Sequence, residues 1–219
     1  MSKLRYEEML PADLAQAIAA APLAYFPIGS LEYHGFHLPF GLDAMHAHEY
    51  CLRAAEQTGG VVLPPTYWGF RGHEGFPGSL LVSEATVASL AADVFRLLTD
   101  QGFRLIVAFT GHWPAVQGQR LQEVAEAHMA QRPECRILVP DLFALHPTDR
   151  EPEHAGRLET SAMLYLRPDL VEMQRLAEPG ALQSITADCV EGTAEAGRAH
   201  FAVCLAELVR MVREALATL

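Results

Sequence analysis

Two carboxylates and two imidazoles fall within one stretch of twelve residues, Glu32-Tyr33-His34-Gly35-Phe36-His37-Leu38-Pro39-Phe40-Gly41-Leu42-Asp43. By type they form a metal-ligand set, with oxygen and nitrogen donors suited to Zn²⁺, Mn²⁺ or Fe²⁺. Glu32 and His34 lie two residues apart, so on extended chain they point the same way. Asp43 could bridge two ions about 3.5–4 Å apart, the usual two-metal arrangement. His37 is close enough to support the ligands from behind. The same residues also fit a plain reading, with Glu32 and Asp43 capping turns and the histidines solvated. Spacing alone does not choose between them.

Other candidates lie further along. His112 follows an all-apolar run, where an imidazole is either a ligand or a core histidine bonded to backbone. Glu153, His154 and Glu159 form a third group. Glu159 reads either as a ligand or as a charge complementing a helix N-terminus. Five residues separate it from His154, so the two would reach a common site from different turns. His46, three residues past Asp43, either orients the bridging carboxylate or lies on the helix surface with His48, the ordinary position for histidine.

These residues need elements to hold them. Leu23-Ala24-Tyr25-Phe26-Pro27-Ile28 reads as a strand, and a helix from about Asp43 to Gln57 follows it. Val61-Val62-Leu63 is a second strand. Tyr67 to Gly78 carries five glycines or prolines and must be a long ordered loop, of the kind that tends to be functional. Ser83 caps a helix with an apolar stripe of Val87, Leu90, Ala91, Val94, Phe95 and Leu98. Leu105 to Phe109 is apolar throughout, as a central parallel strand covered on both faces should be. Thr110-Gly111-His112-Trp113-Pro114 is its exit turn, with Pro114 expected as the first residue of a helix running to about Ala130. Arg136 to Val139 is a fourth strand, Asp141 to Glu153 a loop, and His154 to Tyr165 contains a helix. Residues 169–192 lack periodicity, and a last helix starts near Thr193. Alternating strands and helices give a single α/β domain over 1–219, with a mostly parallel central sheet. The candidate ligands gather at the carboxyl ends of its strands, where open α/β sheets bind ligands.

Composition sets limits. With 219 residues, half of them hydrophobic, the chain can bury a sizeable core. Its net charge of −11 argues against nucleic acid as a partner. No apolar run approaches membrane length, and the N-terminus lacks the apolar stretch of a signal peptide. Cys51, Cys135, Cys189 and Cys204 are scattered and form no C-x-x-C pair, which reads as buried free thiols in a reducing cytoplasm.

Four motifs in order carry a resemblance. Residues 27–39, from Pro27-Ile28-Gly29-Ser30-Leu31-Glu32 to Leu38-Pro39, together with Asp43, resemble the first motif of the creatininase (creatinine amidohydrolase) family. Gly72-His73-Glu74-Gly75-Phe76-Pro77-Gly78-Ser79 resembles its histidine followed by Phe-Pro-Gly-Thr. Thr110-Gly111-His112 resembles its Asn-Gly-His turn, and His154-Ala155-Gly156-Arg157-Leu158-Glu159-Thr160-Ser161 its His-Ala-Gly…Glu-Thr-Ser motif. Thr193 to Arg198 resembles the start of its final helix.

The resemblance implies a three-layer α/β/α sandwich and a binuclear zinc or manganese centre. It also implies hydrolysis of a C–N amide bond in a small cyclic or formylated compound, and a homo-oligomer, often a hexamer. Carried over, Glu32, His34, Asp43 and His112 are metal ligands, with Asp43 the bridge. His154 acts near the substrate. In a metal-assisted hydrolysis here, His154 or Glu153 would pass a proton to the leaving nitrogen. Trp113 falls where the family has an aromatic residue over the substrate, and it either stacks on a planar ring or packs under the long loop. His73 and Trp68 of that loop join it as substrate-binding candidates.

The chain also departs from the family. The glutamate ligand two residues after the turn histidine is replaced by Pro114, and the usual asparagine by Ala115. The expectation is that Glu159 supplies the missing ligand. The alternatives are a single-metal or noncatalytic relative that binds a small molecule or a partner, and a peptidase acting on a short modified peptide.

Overall fold

The computed structural model describes residues 3–145 and 153–219. Four parallel strands form one sheet in the order β2-β1-β3-β4: β1 (Leu23–Ile28), β2 (Val61–Val62), β3 (Leu105–Thr110) and β4 (Arg136–Leu138). β1 and β3 are the central pair, in register from Leu23 opposite Leu105 to Ile28 opposite Thr110. Every residue of both is buried, as their unbroken apolar sequence requires. Pro27 sits in β1 without loss of a ladder bond. Its nitrogen faces the β2 side, where that strand has ended and Pro64-Pro65 breaks the ladder; the Pro27 carbonyl accepts from Thr66 N at 3.1 Å.

Alternate strand residues feed two cores. Leu23, Tyr25, Leu105, Val107 and Phe109 pack against α2 (Leu42–Thr58) and α7 (Ala194–Leu216). Ala24, Phe26, Ile28, Ile106 and Ala108 pack against α3 (Glu84–Asp100) and α4 (Ala115–Gln131), with α1 (Pro11–Ala20) adding Leu14 and Ile18. The result is the expected α/β/α sandwich. α5 (Leu142–Leu145) is a single short turn of helix, and α6 (Arg157–Leu166) packs on α7.

Most boundaries match the sequence, including Pro11 opening α1 and Ser83 accepting from Thr86 N at the start of α3. Two expectations need correction. Pro114 precedes α4 rather than opening it, because its ψ of 122° is extended. The expected loop after β4 contains α5, and its residues 146–152 lie outside the described residues. The helix expected within His154 to Tyr165 is α6, which opens at Arg157 after Ala155 at φ 49° and stops before Arg167. All four cysteines are free and buried. Among the described residues, no helix is long and apolar enough to cross a membrane.

Candidate metal centre

The exits of β1 and β3, the first turn of α2, the long loop and the start of α6 converge on one cavity of about 170 Å³. It is lined by Glu32, His34, Asp43, Gly72, His73, Trp113, Pro114, Glu153, His154 and Glu159. Glycine at 111 makes the convergence possible: a Cβ there would collide with the Asp43 carbonyl, so the β3 exit lies directly on α2.

Asp43 is the hub, and it is buried. Its Oδ1 lies 3.1 Å from His34 Nε2, and its Oδ2 lies 2.9 Å from His112 Nδ1. Ser30 also donates to Oδ2, at 2.6 Å. His112 Nδ1 is in addition 3.0 Å from Glu32 Oε2. The remaining nitrogens are aimed by backbone. His34 Nδ1 donates to the Glu32 carbonyl at 2.9 Å, and His112 Nε2 to the Arg71 carbonyl at 2.9 Å. Such partners fix the orientation of a ligating imidazole and leave its other nitrogen for the ion.

Glu32 Oε1 is held from the long loop by the His73 backbone N–H and by His73 Nδ1 at 2.9 Å. Gly72, at φ 119°, leaves room for that carboxylate. The His73 ring stacks on His154 with centroids 3.8 Å apart, and His154 in turn lies 4.6 Å from the His34 ring. His154 Nε2 donates to the Tyr33 carbonyl at 2.7 Å. Glu159, in the first turn of α6, is buried and accepts from Ala155 N at 2.6 Å.

Charge is balanced tightly. Burial disfavours a charged His34, but the Asp43 carboxylate outweighs it and raises the imidazole to about 9. Burial is likewise overcome at His112, where the hydrogen bonds to Asp43 and Glu32 raise it to about 10. At Asp43 burial is overcome by the charge of His34, which holds the carboxyl far below its ordinary range. The hydrogen bond from His112 similarly keeps Glu32 low against its burial. Glu159 goes the other way: burial lifts it to about 8, against the pull of His34. His154 is pushed down to about 4, by burial first and then by the charge of His34.

The donor set fits divalent cations. Glu32, Asp43 and His112 form one group whose ligand atoms all lie within 4.8 Å of one another, and His34, Asp43 and Glu159 form a second. Ligand atoms of Glu32, His34 and His154 also lie within 4.8 Å of one another. Both imidazoles point protons at carboxylates, positions that a cation would occupy by displacing them. Pro114 lines the cavity and offers no donor side chain.

The expected residues are therefore brought together with one exception. Trp68 lies apart, 46% exposed, in a surface groove with Phe26, Leu31, Pro65, Thr66, Tyr67 and Leu90, because the loop turns inward only after Gly69. Glu153 lines the cavity, yet its Oε1 also accepts from the Leu158 and Glu159 amides and so caps α6. His46 is not on the surface. It is buried beside Tyr50, and burial pushes it down to about 3. His37 is buried and bonds Thr160 Oγ1 at 2.9 Å. Ser30 was missed because a lone serine in a glycine-containing turn carries no signal of its own. Gln117 was missed too, although it is a polar residue on the buried stripe it shares with Leu121 and Ala125.

A family profile described as creatinine amidohydrolase matches residues 7–212. The chain belongs to the creatininase family. The creatinine amidohydrolase of Pseudomonas putida is 29% identical over 187 residues, 75% of this chain and 72% of that one. A mycofactocin precursor peptide peptidase of Mycolicibacterium smegmatis is 33% identical over 167 residues, 70% of this chain and 62% of that one. These relatives are hydrolases, and this chain is a creatininase-family enzyme with clustered metal-ligand residues. A creatininase crystal structure superimposes with a TM-score of 0.87 over 99% of both chains at 22% identity. Similar folds include a manganese creatininase and a mutant creatininase of Zn-Zn type.

Proposed function

We propose that this creatininase-family enzyme hydrolyses the C–N amide bond of a small cyclic or formylated compound, using two divalent cations, zinc or manganese. The observation that carries the reading is the membership of Asp43 in both donor groups, Glu32–Asp43–His112 and His34–Asp43–Glu159. Glu159 takes over the ligand role that Pro114 cannot fill. Bound cations would supply Lewis acidity toward the amide carbonyl and a water of lowered pKa.

The chain's own residues do the rest. His154 is neutral near pH 7, and its Nε2–H is committed to the Tyr33 carbonyl. Its other nitrogen is left to take a proton from the attacking water and return it to the leaving nitrogen. Glu153 holds the α6 N-terminus, and with it Glu159, in place, and takes the lesser share in proton transfer. Trp113 and His73 frame the substrate side of the cavity.

A peptidase acting on a short modified peptide is the second reading. It is favoured by the identity to the mycobacterial peptidase and by a groove of about 810 Å³ that runs along Phe36, Phe40 and Phe76 and is lined by Tyr33, whose carbonyl holds His154. Exposed Phe36, Phe40, Trp68 and Leu80 support assembly of several copies, as a homo-oligomer up to a hexamer. Four buried thiols fit a cytoplasmic setting.

Elemental analysis of protein purified without chelator tests the centre, with near two ions per chain expected. None would leave a noncatalytic binder. A panel of cyclic amides, formamides and short peptides then separates the two substrate readings.

A further inference from the structure

Gln117 is a polar side chain on an apolar stripe. α4 turns it toward the core with Leu121 and Ala125, and all three are fully buried. A buried amide is costly unless its donor and acceptor are matched. Here Oε1 accepts from Phe70 N at 3.0 Å, and Nε2 donates to Thr110 Oγ1 at 3.1 Å. Thr110 Oγ1 donates in turn to the His112 carbonyl at 2.8 Å. One amide thus ties α4 to the β3 exit that carries His112 and to the long loop.

That loop reaches both ends of one donor group. The Arg71 carbonyl receives His112 Nε2, and the next two residues, Gly72 and His73, enclose Glu32 Oε1. Arg71 does this at φ 62°, a conformation that residues other than glycine seldom adopt. The backbone is held there against its own preference, and the Gln117–Phe70 bond is one residue away.

We propose that Gln117 is a positioning residue for a divalent cation at the Glu32–Asp43–His112 group, fixing through Phe70 the loop backbone that aims Glu32 and His112. This rests on the reading of those three residues as ligands. The His34–Asp43–Glu159 group gains its last member from α6, which Gln117 does not touch. Removing the amide therefore weakens one end of the centre and spares the other.

The test is Zn²⁺ titration against a chromophoric chelator in two single-site backgrounds. Glu159→Gln leaves the Glu32–Asp43–His112 group, and Glu32→Gln leaves the other. Gln117→Met keeps the volume and removes both hydrogen bonds. It is expected to weaken zinc about 10-fold in the first background and by less than about threefold in the second, the low end of the losses when a group bonded directly to a ligand is removed, because Gln117 acts through Phe70. Gln117→Glu keeps the acceptor for Phe70 and is expected to restore most of the affinity. If Gln117→Met does not fold, Gln117→Asn withdraws the amide from Phe70 and carries the same expectation. Trypsin cleavage after the exposed Arg71 in chelator-treated protein should quicken in the Met or Asn variant and not in the Glu variant. Equal losses in both backgrounds, or none in either, overturn the proposal. A wild type that binds no zinc overturns the ligand reading along with it, whereas a zinc-binding wild type that Gln117 substitutions leave unchanged overturns the positioning role alone.

Discussion

Asp43 Oδ2 and His112 Nδ1 lie 2.9 Å apart across 69 positions of sequence. One opens α2 and the other ends the β3 exit, so their meeting reports that the two central strands are in register and that the turn at Gly111 is tight. If His112 is a ligand, His112→Ala should lose metal and activity together. Metal content measured by elemental analysis should fall by about one ion per chain, of the two such a site holds. Unchanged content would overturn the assignment.

Glu159 makes a complementary prediction. Glu159→Gln keeps shape and hydrogen bonding but removes the charge, so content should fall to about one ion and the ion at Glu32–Asp43–His112 should stay. Adding Pro114→Glu to that variant should return the second ion, if the new carboxylate stands where the resemblance to the family puts a glutamate ligand. A Glu159→Gln protein with two ions would show that Glu159 is not a ligand.

His154→Ala separates catalysis from metal binding. Turnover should fall by about 10²–10⁴, the usual worth of a positioned proton carrier, while both ions stay bound. Loss of an ion in this variant would instead make His154 a ligand, a role open to it through its proximity to Glu32 and His34.

The raised imidazoles predict a pH dependence for chelator-stripped protein. His34 and His112 rise from 6.5 to about 9 and about 10 on folding. A group with a raised folded pKa contributes fully below its unfolded value and loses that contribution as pH climbs through the folded one. The Tm of stripped protein should therefore decline between pH 6.5 and 10 relative to the zinc-loaded form. Zinc uptake near pH 7 should also release protons, which calorimetry in buffers of different ionisation enthalpy would register. A Tm difference independent of pH would contradict the charged pairing of these rings with Asp43.

Gly111→Ala tests the packing that delivers His112. The added methyl meets the Asp43 carbonyl and the Ala47 side chain. Overpacking of this kind costs about 1–3 kcal/mol, readable by urea unfolding, and zinc affinity should drop with it. A variant as stable as wild type would mean that the β3 exit can shift without cost.

The central strands and α3 were legible because their signals are local: unbroken apolar runs, a serine cap and a stripe at helical spacing. The start of α6 was not. Its first amides are satisfied by Asp188 Oδ1 and Glu153 Oε1 rather than by a serine or threonine at the cap, so no local signature marks it. The burial of His46 depends on α7, whose Phe201 stacks on the neighbouring Tyr50 from more than a hundred residues away. Glu32, His34, Asp43 and His112 could be named as candidates from type and position. That Glu159 comes to lie beside His34 and Asp43 is a tertiary fact, decided by how α6 rests on α7. Trp68 shows the converse error, since an aromatic residue in a long loop carries no mark of which way it faces.

The shared place of Asp43 in both donor groups has a mechanical side. One group reaches forward to the β3 exit and the other to α6, far apart in the chain. Ions held there would act as staples closing two long loops of sequence, and the entropy of closing such loops is what a crosslink removes from the unfolded chain. Ligation would then fasten α6 to the sheet, and withdrawing the ions would loosen the α6 side of the molecule before the β1–β3 core.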